Sequence, residues 1–206
     1  ELPTVTDMRT ALDPETPVIH PDLGDNLAFT RSLDAGEVDK AFAESDEVVE
    51  AEFNFGRHTG VTLEARSIIA DWNAGESRMT VYLGNQAPHM VQNIVAKHLA
   101  LEESQVRVLC KDVGGSFGIK VHIYADEMAT VALSKMLRRP VKFVADRIES
   151  FSTDIHARDH VCRGKIGVSR DGTIKAFEID DLTGVGPYSM YPRTSAIEAN
   201  QVVNLI

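Results

Sequence analysis

The chain has 206 residues, 43% of them hydrophobic, and a formal net charge of −10 at neutral pH. That charge argues against nucleic acid or an anionic membrane surface as partner, since both select basic patches. No apolar run approaches the ~20 residues of a membrane span. Two cysteines, Cys110 and Cys162, are too few for a disulfide framework or an iron–sulfur cluster. The expectation is a globular, cytoplasmic protein with both thiols reduced. The chain starts at Glu1 without a signal-peptide pattern and stops inside an apolar helical pattern, Gln201-Val-Val-Asn-Leu-Ile206. It therefore reads as an internal piece of a longer polypeptide.

Residues 1–32 are rich in Pro, Asp and Thr and read as an extended lead-in from a preceding domain; residues 33–206 read as the start of the next one. Asp34 is placed to cap a short helix through about Glu44. Residues 47–56 alternate, with Val48, Glu50, Glu52 and Asn54 on one side and Val49, Ala51, Phe53 and Phe55 on the other, which predicts a half-buried strand. Gly60–Trp72 and Arg78–Leu83 predict two more strands, joined by a turn at 73–77. Pro88 suits the first turn of a helix whose stripe is Met90, Val91, Ile94, Val95 and Leu99. Val106–Cys110 predicts a strand. A helix follows over 122–137, with Ala125, Met128, Ala129, Ala132, Leu133 and Met136 at helical spacing. Arg138-Arg139-Pro140 ends it, and Val141–Ala145 predicts a short buried strand. Long antiparallel strands over 156–168 and 173–182 flank an Asp171-Gly172 turn. Thr194 or Ser195 is placed to cap a final helix. The class is α+β, mixed sheets with packed helices and local βαβ character.

Between the strand at 106–110 and the helix at 122–137 lies Asp112-Val-Gly-Gly-Ser-Phe-Gly-Ile-Lys120. Glycines in a strand-to-helix turn let backbone come close to a ligand and face it with N–H groups. Phe117 there either covers something flat or folds back as a core plug. A phosphate-binding Walker loop is ruled out, because Ile119 separates Gly118 from Lys120 and Val121 replaces the hydroxyl residue. The spacing of Gly114, Gly115 and Gly118 also misses the dinucleotide pattern Gly-x-Gly-x-x-Gly. Gln86, in Asn85-Gln-Ala-Pro-His89, occupies a second strand-to-helix turn. Two such turns in one mixed sheet can converge at one end, which would make Gln86 a neutral donor beside the glycine loop; the other reading is a helix-entry residue with no ligand.

Other candidates carry blander readings. His156, Arg158, His160 and Cys162 share one strand face, but with no fourth ligand they read as a polar face and not a metal site. Glu64, in an apolar strand context, reads as a salt-bridge partner before an elevated-pKa carboxylate. Trp72 reads as core, and Asp126 and Glu127 as solvated residues on a helix.

Gly84-Asn-Gln-Ala-Pro-His89 followed by Asp112–Lys120 resembles the molybdopterin-binding large subunit of the xanthine dehydrogenase family of molybdenum hydroxylases. That family includes aldehyde oxidoreductases and aerobic carbon monoxide dehydrogenases. Thr62-Leu-Glu-Ala-Arg66, Gly186-Pro-Tyr-Ser-Met-Tyr-Pro192 and the lead-in Glu1-Leu-Pro-Thr-Val-Thr-Asp7 are similar too. The resemblance implies a molybdenum–molybdopterin cofactor, in some members the cytosine dinucleotide, that oxidises a C–H bond with oxygen from water. Electrons then leave through 2Fe-2S clusters and FAD on other subunits or domains of an oligomer. It implies that Gln86 bonds an oxygen ligand of molybdenum, that Phe117 lines the metal and substrate pocket, and that neither ligates the metal. Gly114, Gly115, Ser116 and Gly118 would contact the cofactor. The catalytic glutamate and the closing loop are expected beyond Ile206, so the piece alone should be inert. Val121 stands where purine-oxidising members carry glutamate, which leaves aldehydes, N-heteroaromatics or carbon monoxide as substrates. A cofactor-free scaffold or interaction domain is the reading of another class.

Overall fold

The structure, a computed structural model, describes residues 3–157 and 159–186. In chain order its elements are α1 (Val38–Ala43), β1 (Glu47–Phe55), β2 (Ser67–Asn73), β3 (Arg78–Leu83), α2 (Pro88–Leu99) and β4 (Val106–Leu109). There follow α3 (Ala125–Leu137), β5 (Val141–Val144), α4 (Arg147–Thr153), β6 (His160–Val168) and β7 (Ile174–Thr183). They fall into two compact units, one of residues 59–156 and one of residues 1–58 with 157–206. Mixed sheets with packed helices make the chain α+β, as expected. The expected helix after Thr194 lies outside the described residues.

The 59–156 unit is built on a four-stranded sheet of order β4-β3-β2-β5. β2 and β3 form an antiparallel hairpin, while β3 and β4 run parallel and are bridged by α2, a βαβ unit. Alternation along the strands sends Ile68, Ala70, Met79, Val81 and Leu83 into the core, and Ile69 and Tyr82 stay exposed. Val91, Val95 and Ala96 of α2 and Val131 of α3 close over that apolar face. Trp72 packs against this core while only partly buried.

Several elements differ from those the sequence predicts. The strand expected from Gly60 begins only at Ser67, and Val61 takes a left-handed φ of 38° that a strand does not allow. The helix expected from 122 starts at Ala125, after a 3₁₀ turn over Ile119–Val121. Its buried positions are Glu127, Thr130, Val131 and Ser134, while Leu133 and Met136 are exposed. The buried stripe is therefore rotated away from the apolar one, because polar residues on this helix have buried partners. α4 carries no apolar periodicity. Its start is marked by a capping box: Glu149 N–H donates to Asp146 at 2.8 Å, and Asp146 N–H donates to Glu149 at 2.7 Å.

The other unit holds the antiparallel sheet β1-β6-β7. Its turn at Asp171-Gly172 is as expected, with Gly172 at φ 84°. α1 begins at Val38, and Glu37 rather than Asp34 precedes it. β1 alternates as anticipated, but it is exposed along its whole length rather than half buried. β6 begins at His160, so His156 lies before the strand; Arg158 lies outside the described residues.

Candidate cofactor-binding site

β3 and β4 are parallel neighbours, so the segments that follow them leave the sheet at the same end. After β3 come Gly84, Asn85, Gln86 and Ala87, then α2. After β4 comes the glycine loop, then the 3₁₀ turn and α3. The two segments are hydrogen-bonded to each other. Gln86 N–H donates to the Lys120 carbonyl at 2.9 Å. The Gln86 side-chain oxygen accepts from Gly118 N–H at 3.1 Å and from the Ser116 hydroxyl. With Oε1 so occupied, the amide of Gln86 keeps Nε2 as its donor. Gln86 and Phe117 are both exposed.

Asn85, which the sequence did not single out, shapes the first turn. It is buried, accepts from Ala87 N–H at 2.6 Å and donates to the His122 carbonyl at 3.2 Å. Asn and Asp in such turns stand in for backbone partners, a signal legible in the Asn85-Gln-Ala-Pro88 run.

The glycine loop needs its glycines at two points. Gly115 and Gly118 have φ of 95° and 90°, a region that other residues enter at a penalty. A Cβ at Gly118 would meet nothing within 4 Å, so that stretch of backbone is open. Phe117 also sits at positive φ, 49°, with 78% of its surface exposed. A bulky aromatic in that conformation is strained, and such strain gathers at ligand sites. The core-plug reading of Phe117 is set aside by its exposure.

Beneath the loop lies an ion pair. Lys120 is buried, and its ammonium meets Glu64 Oε2 at 2.6 Å. The same oxygen accepts from Gly114 N–H at 2.8 Å, and Glu64 N–H donates to the Gly114 carbonyl at 3.1 Å. The Lys120 ammonium, helped by the Gly114 N–H, holds the Glu64 carboxyl below the usual carboxylate range. The salt-bridge reading of Glu64 holds; the elevated-pKa one does not.

Asp126 and Glu127 are not solvated helix residues. Arg66, with its side chain fully buried, donates two bonds to Asp126 at 2.7 and 2.8 Å and one to Asp154 at 2.6 Å. Glu127 stands 3.5 Å away, and the Tyr124 ring lies 3.8 Å below the guanidinium carbon. Burial works against the Arg66 charge, but the bonds it donates to Asp126 and Asp154 outweigh it and raise its pKa. Burial lifts Glu127 to about 7, against the pull of the Tyr124 N–H and of Arg66. The Tyr124 hydroxyl donates to the Ile119 carbonyl at 2.8 Å, which ties this cluster to the end of the glycine loop.

In the other unit, His160 Nδ1 faces Asp181 at 3.0 Å and the Thr183 hydroxyl at 3.1 Å. Among the described residues, no group of three or more His, Cys, Asp or Glu is disposed to hold a metal ion. A shallow cleft lined by Arg78, His89, Gln92, Ser104 and Arg107 includes neither Gln86 nor Phe117. No helix among the described residues is long and apolar enough to cross a membrane.

A family model described as the molybdopterin cofactor-binding domain matches residues 19–205. The chain belongs to that family, the cofactor-binding domain of the molybdenum hydroxylases. It is 32% identical over 196 residues to the nicotine 6-hydroxylase large subunit of Paenarthrobacter nicotinovorans, covering 93% of this chain and 24% of that one. It is 32% identical over 201 residues to the carbon monoxide dehydrogenase large chain of Hydrogenophaga pseudoflava, covering 91% of this chain and 25% of that one. The crystal structure of quinoline 2-oxidoreductase from Pseudomonas putida 86 superposes with a TM-score of 0.88 at 31% identity, covering 94% of this chain and 25% of that one. The chain thus spans about a quarter of the length of these relatives.

Proposed function

We propose that this chain is the cofactor-holding part of the large subunit of a molybdenum hydroxylase of the xanthine dehydrogenase type, acting on a C–H bond of an N-heteroaromatic or aldehyde substrate. The observation that carries the reading is the junction of Gln86 with the glycine loop, where Gly118 N–H and the Ser116 hydroxyl hold the amide oxygen beside exposed Phe117.

The residues present fit molybdopterin. The backbone at Gly118 is open on the side where a Cβ would stand, Phe117 offers an exposed flat face, and Gln86 has a neutral donor in Nε2. When bound, the cofactor supplies the two-electron oxidation with oxygen derived from water. This chain's residues bind and orient. Ser116 and Gly118 take up Oε1 of Gln86, which leaves Nε2 as the donor that would face the molybdenum group. Gly118 would admit the cofactor close to backbone, Gly114 and Gly115, packed against Glu64 and against Phe117 with Thr62, would shape the loop that meets it, and Phe117 would shield it and line the approach of substrate. None of the six ligates the metal.

Relatives named for nicotine and quinoline oxidation support an N-heteroaromatic substrate, and Val121 after Lys120 speaks against a purine. The relative named for carbon monoxide oxidation favours that gas as the second reading. The cofactor in its cytosine dinucleotide form, 2Fe-2S and FAD carried by partner subunits or domains, and an oligomeric enzyme complete the proposal. Molybdenum analysis of the full-length enzyme, with dye-linked oxidation of a panel of N-heterocycles, aldehydes and carbon monoxide, tests it. About one molybdenum per large subunit and turnover of an N-heterocycle or aldehyde are expected of that enzyme. Absence of molybdenum would favour a cofactor-free scaffold.

A further inference from the structure

Glu64 lies in an irregular segment of the 59–156 unit, with no place among the six residues assigned to the cofactor. Its carboxylate nevertheless bonds the glycine loop at both ends, at Gly114 and at Lys120. It takes the buried Lys120 ammonium at 2.6 Å and the Gly114 N–H at 2.8 Å on one oxygen. Its own N–H returns a bond to the Gly114 carbonyl at 3.1 Å. Gly84 and Gly114 leave the room this requires. A Cβ at Gly84 would stand 3.2 Å from Glu64 Oε2 and 3.7 Å from Lys120 Nζ, and one at Gly114 would fall 2.5 Å from Glu64 Cβ. The carboxylate is in turn held by its own segment, because Arg147 donates to the Thr62 and Leu63 carbonyls at 2.8 and 2.9 Å, and the Thr62 hydroxyl donates to the Glu64 carbonyl at 2.7 Å.

We propose that Glu64 is a positioning residue for the cofactor: by accepting from Gly114 N–H it fixes the entrance of the glycine loop, and Lys120 supplies the buried positive charge that keeps it ready to do so. The inference rests on the reading that this loop holds molybdopterin. The loop is secured at two points, by Glu64 at Gly114 and by Gln86 at Ser116 and Gly118, with strained Phe117 between them. A loop held at one end only would let Phe117 relax out of its positive φ and spoil the face it offers.

A buried charge with its partner removed destabilises strongly, whereas replacing both members by apolar residues is often neutral. The test therefore compares Lys120→Met, which keeps the acceptor for Gly114, with the double variant Glu64→Leu/Lys120→Met, which removes it. Both are made in the intact protein, and thermal unfolding, molybdenum per chain and backbone amide exchange at Gly114–Gly118 are read in each. The double variant should unfold near the Lys120→Met midpoint yet hold about tenfold less molybdenum, since a hydrogen bond to a charged acceptor is at stake. Its Gly114 amide should exchange correspondingly faster. Glu64→Asp, retaining the charge, should recover part of both signals; Glu64→Leu alone, expected to unfold more readily, is the control for the stranded lysine. Equal molybdenum and equal Gly114 exchange in the single and double variants would overturn the proposal, leaving the ion pair a matter of folding alone. If the unsubstituted protein holds no molybdenum, the functional reading falls, and Gly114 exchange still decides whether Glu64 fixes the loop.

Discussion

Gly114 has no room for a side chain, because the methyl of an alanine would lie 2.5 Å from Glu64 Cβ. Gly114→Ala should push loop and Glu64 apart, at a penalty of about 1–3 kcal/mol typical of overpacking. Lower molybdenum content together with a reduced unfolding midpoint would register it. Glu127 makes a prediction in pH. Its folded pKa is about 7, above the ordinary 4.5, because burial disfavours its charge. A raised acid favours the folded state most below about 4.5, and that contribution is lost as pH rises through about 7. Thermal unfolding from pH 4 to 8 should therefore show Glu127→Gln gaining on the parent as pH rises. Parallel curves for the two proteins would contradict it. At this scale the sequence was legible where chemistry is local. Gln86 and the glycines sit in turns that composition alone marks. The Arg66 cluster was not legible, since Asp126, Glu127 and Asp154 lie far along the chain from Arg66 and acquire their roles only when the fold brings them to it.

Elements were read best where periodicity and burial agree. β3 and α2 carry apolar patterns that match what they bury, and their limits fall close to those expected; β5 falls where expected, but none of its residues is buried and Val144 is 54% exposed. α3 shows the opposite case: its apolar spacing pointed to one face, while paired polar residues occupy another. α4 has seven residues, and its Ile148 and Phe151 are exposed, so no stripe announces it. Its legible signal is the capping box Asp146-Arg-Ile-Glu149, which marks a helix start without any periodicity. This helix carries Arg147, which braces the Thr62 and Leu63 carbonyls. Asp146→Ala should destabilise the 59–156 unit by about 1 kcal/mol through the lost cap. Denaturant unfolding would show this as a lower midpoint with an unchanged slope; an unchanged midpoint would deny the cap its part in holding the segment before Glu64.

For the whole molecule, the alternation of β1 was legible but its burial was not, because burial depends on what covers a sheet. One face of β1-β6-β7 carries charge in register, Glu50 opposite Lys165 opposite Glu178 and Glu52 opposite Arg163 opposite Asp180, with Arg163 bonded to Glu52 at 2.9 Å. The other face presents Val49, Phe53 and Phe55, which are 57%, 56% and 57% exposed. Contiguous apolar surface of this kind drives association in water. The 206-residue chain on its own should therefore self-associate at micromolar concentration, and Phe53→Ser with Phe55→Ser should suppress this in light scattering without disturbing the 59–156 unit. It should also be inert. On the proposed reading Gln86 and the glycine loop would hold one side of the cofactor, while hydroxylation needs a base near the reacting oxygen and an exit for electrons. Two cysteines cannot build a cluster relay. Dye-linked turnover of any N-heterocycle or aldehyde by this chain alone would show that the base lies among these residues, and would redirect attention to the carboxylates around Arg66.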